Sequence, residues 1–395
     1  MSLLSEYINK MRSGWGPIHL ESELQKLILK YNRYKDSYLF LYVAALNKNI
    51  PERSLNQDDF YTMVDLLKER KGTKKIDVLI ETPGGSGIAA EEIAKFLHNC
   101  FEEVSFIIAG EAKSAGTILA LSGHEIYMSE TGSLGPIDAQ VQIGRSVVSA
   151  SDYCEWINNK RKEAEKNRRL NPFDATMVAQ ISPGELENVR HALEFAIDRV
   201  AEWLPLYKFK NWNVTETRNI PVTMRMKKKR AKEIAKNLAK HSNWQSHGRS
   251  IKLDDLSKWL KIKRIEDDKT MSDIINRIKV VYTLLFQSTS AFKMFVSENY
   301  KIFRQASPRP QQVQIPQKTE KLKFFEATQK CPNCGTEYKL YGKFEKNPDI
   351  DKSEIKKGLL AIPKTLKIHC SCGFEIDLTG LRNDIESKTG RRIVL

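Results

Sequence analysis

The chain has 395 residues, of which 41% are hydrophobic and 29% are charged, an ordinary balance for a soluble globular protein. This composition excludes disorder as the default, and the length is sufficient for one large core or two. The net charge of +15 permits contact with nucleic acid or another anionic surface, but it is not evidence of such contact.

No targeting segment is evident in the sequence. It contains no run of about 18 apolar residues, and its first residues, MSLLSEYINKMRSGWG, lack the apolar core of a signal peptide. The sequence therefore predicts a cytoplasmic protein without a membrane span.

Strand and helix signals alternate over residues 1–250. Runs of β-branched and aliphatic residues at 37–46, 75–82 and 104–110 predict strands, and the segments between them follow helical spacing. Such alternation predicts an α/β domain with a mainly parallel sheet beneath helices.

The remainder of the chain divides into three parts. A helical pattern predicts a helical extension at 251–306, and a proline- and glutamine-rich stretch predicts a linker at 307–325. A small cysteine-bearing module with a basic tail, KTGRRIVL, is predicted at 326–395.

Two glycines follow the second predicted strand. The sequence TPGG at 82–85 separates this strand from GIAAEEIAKFL, whose apolar residues recur at helical spacing. A turn of this kind leaves backbone N–H groups unpaired at a helix N-terminus, where they can hold a phosphate or a developing oxyanion. The alternative is a tight turn that binds no ligand. The next strand and helix of the chain distinguish these two interpretations.

A serine occupies the corresponding place in the next unit. Ser114 follows the strand predicted at 104–110 and begins a helix rich in alanine, glycine and threonine. Its small neighbours Ala112, Ala115 and Gly116 leave room for a substrate backbone. A serine at a helix start is more often a cap than a nucleophile, but two such units in series favour the nucleophile.

Three motifs in this order, TPGG (82–85), AKSAGT (112–117) and SLGPIDAQ (133–140), resemble the serine dehydrogenase proteinase family of the Clp protease/crotonase superfamily, which is related to signal peptide peptidase A. The segment HSNWQSHGRSI (241–251) is similar to that family's Trp-x-x-His-x-x-x-Ile element. The resemblance covers residues 35–255 and implies a ClpP/crotonase-like spiral of ββα units.

The same resemblance implies the roles of several residues. Ser114 would be the nucleophile, and the backbone N–H groups of Gly84 and Ala115, with Gly85 in the same turn, would form the oxyanion hole. Glycines at 84 and 85 would let the main chain itself reach the oxyanion, and would leave an edge where an extended peptide could add as a strand.

The sequence offers several candidates for the general base. Clp proteases proper carry a histidine about two dozen residues after the serine, where this chain has SLGPIDAQ, and relatives of signal peptide peptidase A use a lysine that burial keeps neutral. His247 matches a motif position of the family, Lys160 lies in a strongly charged run, and His191 lies on a predicted amphipathic helix. Lys113 adjoins the nucleophile and is expected to point away from it. Asp138 either orients the base or bonds its own loop.

Four of the six cysteines form two pairs, Cys331 with Cys334 in CPNCG and Cys370 with Cys372 in CSCG. Each pair lies in a turn that ends in glycine, which suits a knuckle whose N–H groups point at thiolate sulfur, and KLYGKFE and LKIHCSCGFEIDL supply flanking strands. This pattern predicts a zinc ribbon rather than two disulfides in a cytosolic chain. Four thiolates leave no open position on the metal, so the zinc is expected to be structural.

These features together predict an ATP-independent serine endopeptidase with a zinc-ribbon adaptor, since the chain has no GxxxxGK[ST] phosphate loop. Two other classes stay open: a crotonase-like enzyme acting on acyl thioesters, and a catalytically dead binding protein in which Ser114 survives only as a cap. The expected partners are a protein or peptide substrate, further copies of the chain in a homo-oligomer, and an acidic partner or nucleic acid at the ribbon.

Overall fold

The computed structural model describes residues 2–68, 72–143, 146–306 and 323–395, without the side chain of Lys388. Two compact units divide the chain. One comprises residues up to 284 together with 292–304, and the other comprises 285–291 together with 305–395. The candidate catalytic residues belong to the first unit and the paired cysteines to the second.

The strands up to residue 305 are β1 (Tyr38–Ala44), β2 (Lys75–Glu81), β3 (Glu103–Ile108), β4 (Glu111–Ala112), β5 (Glu125–Met128), β6 (Ser133–Leu134), β7 (Gln140–Ile143), β8 (Ser146–Ser149), β9 (Lys263–Arg264), β10 (Ala291–Val296) and β11 (Lys301–Gln305). Seven of them form one sheet in the order β11-β10-β1-β2-β3-β5-β9. The pairs from β1 through β9 are parallel, and β10 is antiparallel to β1. The predicted α/β fold with a mainly parallel sheet is confirmed.

The helices of the same region are α1 (Leu3–Arg12), α2 (Pro17–Lys35), α3 (Gln57–Leu67), α4 (Gly87–Cys100), α5 (Ala115–Ala120), α6 (Ala150–Asn167), α7 (Pro172–Ala179), α8 (Pro183–Leu206), α9 (Met224–Ala239), α10 (His241–Trp244), α11 (Leu253–Leu256) and α12 (Lys269–Ser288). Short 3₁₀ turns lie at Pro51–Arg53 and Ile265–Asp267. Across the described ranges, a helix with the length and apolarity needed to cross a bilayer does not occur.

Helices cover both faces of the sheet, which is why apolar residues on both sides of its central strands are buried. Val78 on β2 packs in the same core as Ile93 on α4. On the other face, Asp77 accepts a hydrogen bond from Tyr31 on α2, and Glu81 accepts one from Tyr282 on α12. The carboxyl ends of β2 and β3 therefore lie side by side between two helical layers, and the glycine turn and the Ser114 loop both begin there.

The predicted helical extension at 251–306 is only partly helical. α12 ends at Ser288, and the chain then forms β10 and β11 of the large sheet. The helical prediction for 291–305 is wrong because a short apolar run such as AFKMFV cannot be assigned to helix or strand from periodicity alone. Its pairing with β1 decides the conformation.

The second unit contains β12 (Phe324–Lys330), β13 (Glu337–Lys343), α13 (Pro348–Lys356), β14 (Leu360–Ala361), β15 (Lys367–His369), β16 (Glu375–Asp377) and α14 (Thr379–Thr389). β12, β13 and β14 form one sheet, and β15 pairs with β16 in a hairpin. The strands predicted beside the cysteine pairs are present. Most of the predicted linker, 307–322, lies outside the described residues, whereas its last residues begin β12.

Candidate active site

Ser114 connects β4 to α5 in a backbone conformation that residues other than glycine rarely adopt. Its φ is 48° and its ψ is −115°, and strain of this kind costs about 1–3 kcal/mol. Although Ser114 occupies the N-cap position, its side chain makes no capping bond, whereas Ser86 at the start of α4 accepts a hydrogen bond from the Ala89 N–H at 3.2 Å. Among the described residues nothing bonds the Ser114 hydroxyl, which leaves it available for chemistry.

The glycine turn after β2 lies directly against Ser114. A Cβ atom on Gly84 would be 2.7 Å from Ser114 Cβ and 2.9 Å from the carbonyl oxygen of Lys113. Gly84 also has a φ of +101°, which L side chains rarely adopt. The two units recognised in the sequence are therefore packed together, and only glycine fits at position 84.

One backbone donor comes from the glycine turn. Leu55 bonds to both neighbours of Gly85: its N–H donates to the carbonyl oxygen of Gly84 at 2.8 Å, and its own carbonyl oxygen accepts from the Ser86 N–H at 2.8 Å. In a parallel bridge this pattern turns the N–H of Gly85 away from Leu55. That N–H has no acceptor among the described residues.

A second donor comes from the start of α5. Ala115 is the first residue of the helix, and its N–H has no partner within the helix. The N–H of Gly84, by contrast, donates to Thr82 Oγ1 at 3.2 Å. The geometry thus offers Gly85 and Ala115 as donors, and gives Gly84 the different role of permitting close approach to Ser114.

A buried ion pair supports the segment that holds the glycine turn. Lys293 and Asp59 are fully buried, with their charged atoms 2.7 Å apart, and Lys293 also donates to the carbonyl oxygen of Ser54 at 2.9 Å. The hydroxyl of Tyr42 donates to Asp59 at 2.8 Å. Burial lowers the pKa of Lys293, and the neighbouring carboxylate opposes that change. Breaking such a pair typically costs about 3–5 kcal/mol, so the position of Leu55 beside Gly85 is strongly defined.

Asp138 is a fully buried carboxylate shared by two histidines. Its Oδ1 lies 2.7 Å from His247 Nδ1, and its Oδ2 lies 2.8 Å from His241 Nδ1. Gln140 Nε2 donates to the same Oδ2 at 3.0 Å. Three donors compensate for a charge that burial would otherwise penalise. Of the two interpretations left open for Asp138, the structure shows contacts that would orient a base.

The two histidines differ at their outer nitrogen atoms. His241 Nε2 lies 3.6 Å from Asp152 Oδ2 on α6. His247 Nε2 has no partner in the part of the chain that the structure describes. Only His247 therefore combines a carboxylate at Nδ1 with an Nε2 that is open for proton transfer.

Lys113 ties the segment that carries His247 to the strand beside the nucleophile. Its ammonium group is bonded to four oxygen atoms: Ser133 Oγ at 3.2 Å, Leu134 O at 3.3 Å, Arg249 O at 3.3 Å and Ser250 Oγ at 2.8 Å. Burial lowers the pKa of Lys113. The ammonium group is thus occupied by these four oxygens, and through Arg249 and Ser250 it ties residues 249 and 250 to the residue before Ser114.

The other two candidates for the base have different surroundings. Lys160 on α6 donates to Asp174 at 2.7 Å and to Glu163 at 3.0 Å. These hydrogen bonds, above all that to Asp174, raise the pKa of Lys160, the opposite of what a lysine base requires. His191 is exposed on α8 and has no partner among the described residues. Neither side chain joins the Asp138 group.

Sequence reasoning missed His241. It stands in the same segment as His247, and a second histidine close to a motif histidine was the only signal available. Its partner Asp138 is 103 residues away in the sequence, so spacing along the chain cannot predict the contact.

The four paired cysteines of the second unit form a cluster. Their Sγ atoms lie within 4.8 Å of one another, with Cys331 and Cys372 at 3.6 Å and Cys334 and Cys370 at 3.4 Å. Zinc bound to four thiolates at about 2.3 Å requires sulfur atoms about 3.8 Å apart, so the cluster has the dimensions of a metal site. A hydrogen bond from the Cys372 backbone lowers the pKa of Cys370 to about 5, whereas burial raises the pKa of Cys331 to about 11, so the thiols differ in how readily they form the thiolate that a metal needs.

Residues 52–177 match the sequence profile of the family described as ClpP-like SDH-type serine proteinase. The matched segment contains the glycine turn, Ser114 and Asp138. It ends before the two histidines.

Two curated proteins of Methanocaldococcus jannaschii are similar to part of the chain. Uncharacterized protein MJ0137 is 44% identical over 68 residues, which is 17% of this chain and 24% of that protein. Uncharacterized protein MJ1495 is 39% identical over 66 residues, 17% of this chain and 23% of that protein. The aligned part of the chain thus spans about a quarter of the length of these relatives.

Among solved structures, a mutant of the 1510-N membrane-bound stomatin-specific protease matches 56% of this chain and 79% of its own, at 12% identity and a TM-score of 0.32. Another mutant of that protease, in complex with a substrate peptide, matches 53% of this chain and 70% of its own, at 14% identity and a TM-score of 0.31. At these scores the likeness is partial.

Proposed function

We propose, from the premise that residues 52–177 belong to the ClpP-like SDH-type serine proteinase family, that this protein is an ATP-independent serine endopeptidase whose nucleophile is Ser114. The observation that carries the proposal is the local geometry of Ser114. A strained residue at a helix start, with an unbonded hydroxyl and two unpaired backbone N–H groups beside it, has the parts required for acyl transfer.

The proposed base is His247. Asp138 accepts a hydrogen bond from its Nδ1, which fixes the tautomer in which Nε2 carries the lone pair. Lys113 supports this assignment because it holds residues 249 and 250 next to the Ser114 loop. Ser114 and His247 are not hydrogen-bonded in the free protein, so Nε2 and Oγ must close to bonding distance when substrate binds, as catalytic pairs often do.

The proposed reaction has two stages. Ser114 Oγ attacks the carbonyl carbon of the scissile peptide bond and passes its proton to His247 Nε2, while the N–H groups of Gly85 and Ala115 donate to the oxyanion. Collapse of the tetrahedral intermediate expels the amine, which takes the proton from His247. Water then attacks the resulting ester with His247 again as the base, and Ser114 is released.

The proposed substrate is an extended stretch of protein or peptide that pairs with backbone groups beside the glycine turn. Homo-oligomerisation is proposed by likeness to the superfamily, in which such domains commonly assemble. The ribbon is proposed to act as an adaptor for a substrate or partner.

A fluorophosphonate probe tests the proposed function. This probe phosphonylates an activated serine, so mass spectrometry of the labelled protein should locate the adduct on the peptide that contains Ser114. A protein that binds peptides but takes up no probe at any pH would be a binding protein with a peptidase fold, and the proposal would be rejected.

Replacing Gly84 by valine is expected to lower turnover by about 100-fold or more, because a side chain there would collide with Ser114 Cβ and disturb the oxyanion donors. The measurement is kcat on a reporter peptide. Gly14→Val is the matched control, since Gly14 also has a positive φ, of +108°, and apart from its chain neighbours nothing lies within 4 Å of its Cβ position. Equal effects of the two changes would mean that backbone strain, and not obstruction of the site, explains the loss.

The cysteine cluster is proposed to bind one structural zinc ion. Metal analysis of the purified chain should find about one zinc per chain, and Cys370→Ser should lose most of it because one of four thiolates is missing. Cys100→Ser is the control, since Cys100 is a free thiol outside the cluster. Zinc that survives Cys370→Ser would place the metal elsewhere and overturn this assignment.

A further inference from the structure

His241 makes a contact with the proposed triad that the reaction described above does not use. It occupies one oxygen of Asp138 while His247 occupies the other, at 2.8 and 2.7 Å. Its side chain is 20% exposed and that of Asp138 is fully buried. With donors on both oxygens, the carboxylate is restricted in its rotation.

The rotation of Asp138 is important because a carboxylate can turn about its last bond. With only one oxygen held, the group could present either oxygen to His247 over a range of angles. With Oδ2 held by both His241 and Gln140, Oδ1 is directed at His247 Nδ1. A catalytic group must be held to within about 0.5 Å and 10–20° to be effective.

The outer nitrogen of His241 faces a second carboxylate without bonding to it. Its Nε2 lies 3.6 Å from Asp152 Oδ2, too far for a hydrogen bond, and Asp152 is half-exposed in the first turn of α6. The side chain of His241 therefore makes its one hydrogen bond among the described residues to Asp138.

We propose that His241 is a positioning residue, which orients Asp138 so that Asp138 can orient the base His247. This inference rests on the proposed peptidase function. It implies a relay of four side chains, His241, Asp138, His247 and Ser114, in place of the usual three. His241 does not take up or release a proton during the reaction.

Two amide substitutions at position 241, to asparagine and to glutamine, distinguish the positioning role from a general structural role. The amide nitrogen of asparagine can replace His241 Nδ1 and still donate to Asp138, whereas the longer glutamine places its amide nearer the position of Nε2, towards Asp152. His241→Asn should therefore keep kcat within about threefold of the wild type. His241→Gln and His241→Ala should lower kcat by about 10- to 100-fold, with KM changed less than twofold, because the substrate site is untouched.

Thermal melts of the variants accompany the kinetics, so that the comparison is confined to variants that are folded at the assay temperature. If folded His241→Gln has the wild-type kcat, or if His241→Asn and His241→Gln lose kcat equally, the positioning role is wrong. Ser114→Ala is measured in parallel. Cleavage that persists in Ser114→Ala would overturn the peptidase assignment itself, whereas inactive Ser114→Ala with a fully active His241→Gln would overturn only the role of His241.

Discussion

Ser114→Ala is expected to abolish peptide cleavage and fluorophosphonate labelling while the protein stays folded. Removal of a serine nucleophile from a hydrolase lowers kcat on the order of 10⁶-fold. Since the Ser114 hydroxyl makes no capping bond, the free energy of unfolding should change by less than about 1 kcal/mol. The measurements are peptide turnover, probe uptake and chemical denaturation.

Ser86→Ala is the control for this experiment, because Ser86 holds the same position at the start of the neighbouring helix. Its hydroxyl does cap α4, so its loss should cost about 1 kcal/mol of stability and leave cleavage nearly unchanged. Ser114→Ala should thus abolish cleavage with little loss of stability, whereas Ser86→Ala should lose stability with little loss of cleavage. Wild-type cleavage by Ser114→Ala would show that the nucleophile lies elsewhere.

The parts of the fold that the sequence predicts are those with a local physical signal. The runs that became β1, β2 and β3 are buried on both faces, so aliphatic and aromatic residues predominate in them and they could be recognised from the chain alone. The glycines of TPGG were recognisable because only glycine allows the positive φ and close approach required there.

The parts that the sequence does not predict depend on contacts between distant residues. β10 contains a lysine within its apolar run, and nothing local indicates that this lysine is fully buried against Asp59, 234 residues away. The hydrogen bonds of Leu55 to the glycine turn also join distant parts of the chain. So do the hydrogen bonds of Lys113 to residues 249 and 250. The hydrogen bonds of Leu55 and Thr82 leave the unpaired N–H of the glycine turn on Gly85 rather than on Gly84.

His247→Ala is expected to lower kcat by about 10⁴-fold or more at every pH, because Ser114 would lose its proposed proton acceptor. An imidazole accepts a proton only in its neutral form, so kcat/KM is expected to be lower in acid than at neutral pH. The measurement is kcat/KM against pH, with probe labelling followed in parallel.

Lys160→Ala and His191→Ala are the controls for this assignment and should keep near-wild-type turnover. The hydrogen bond to Asp174 raises the pKa of Lys160, so its side chain stays charged and cannot accept a proton from Ser114 near neutral pH. With a lysine as the base, kcat/KM would instead continue to increase with pH into the alkaline range. If His247→Ala retained activity with such a profile, the base would have to be a lysine whose pKa is depressed by burial.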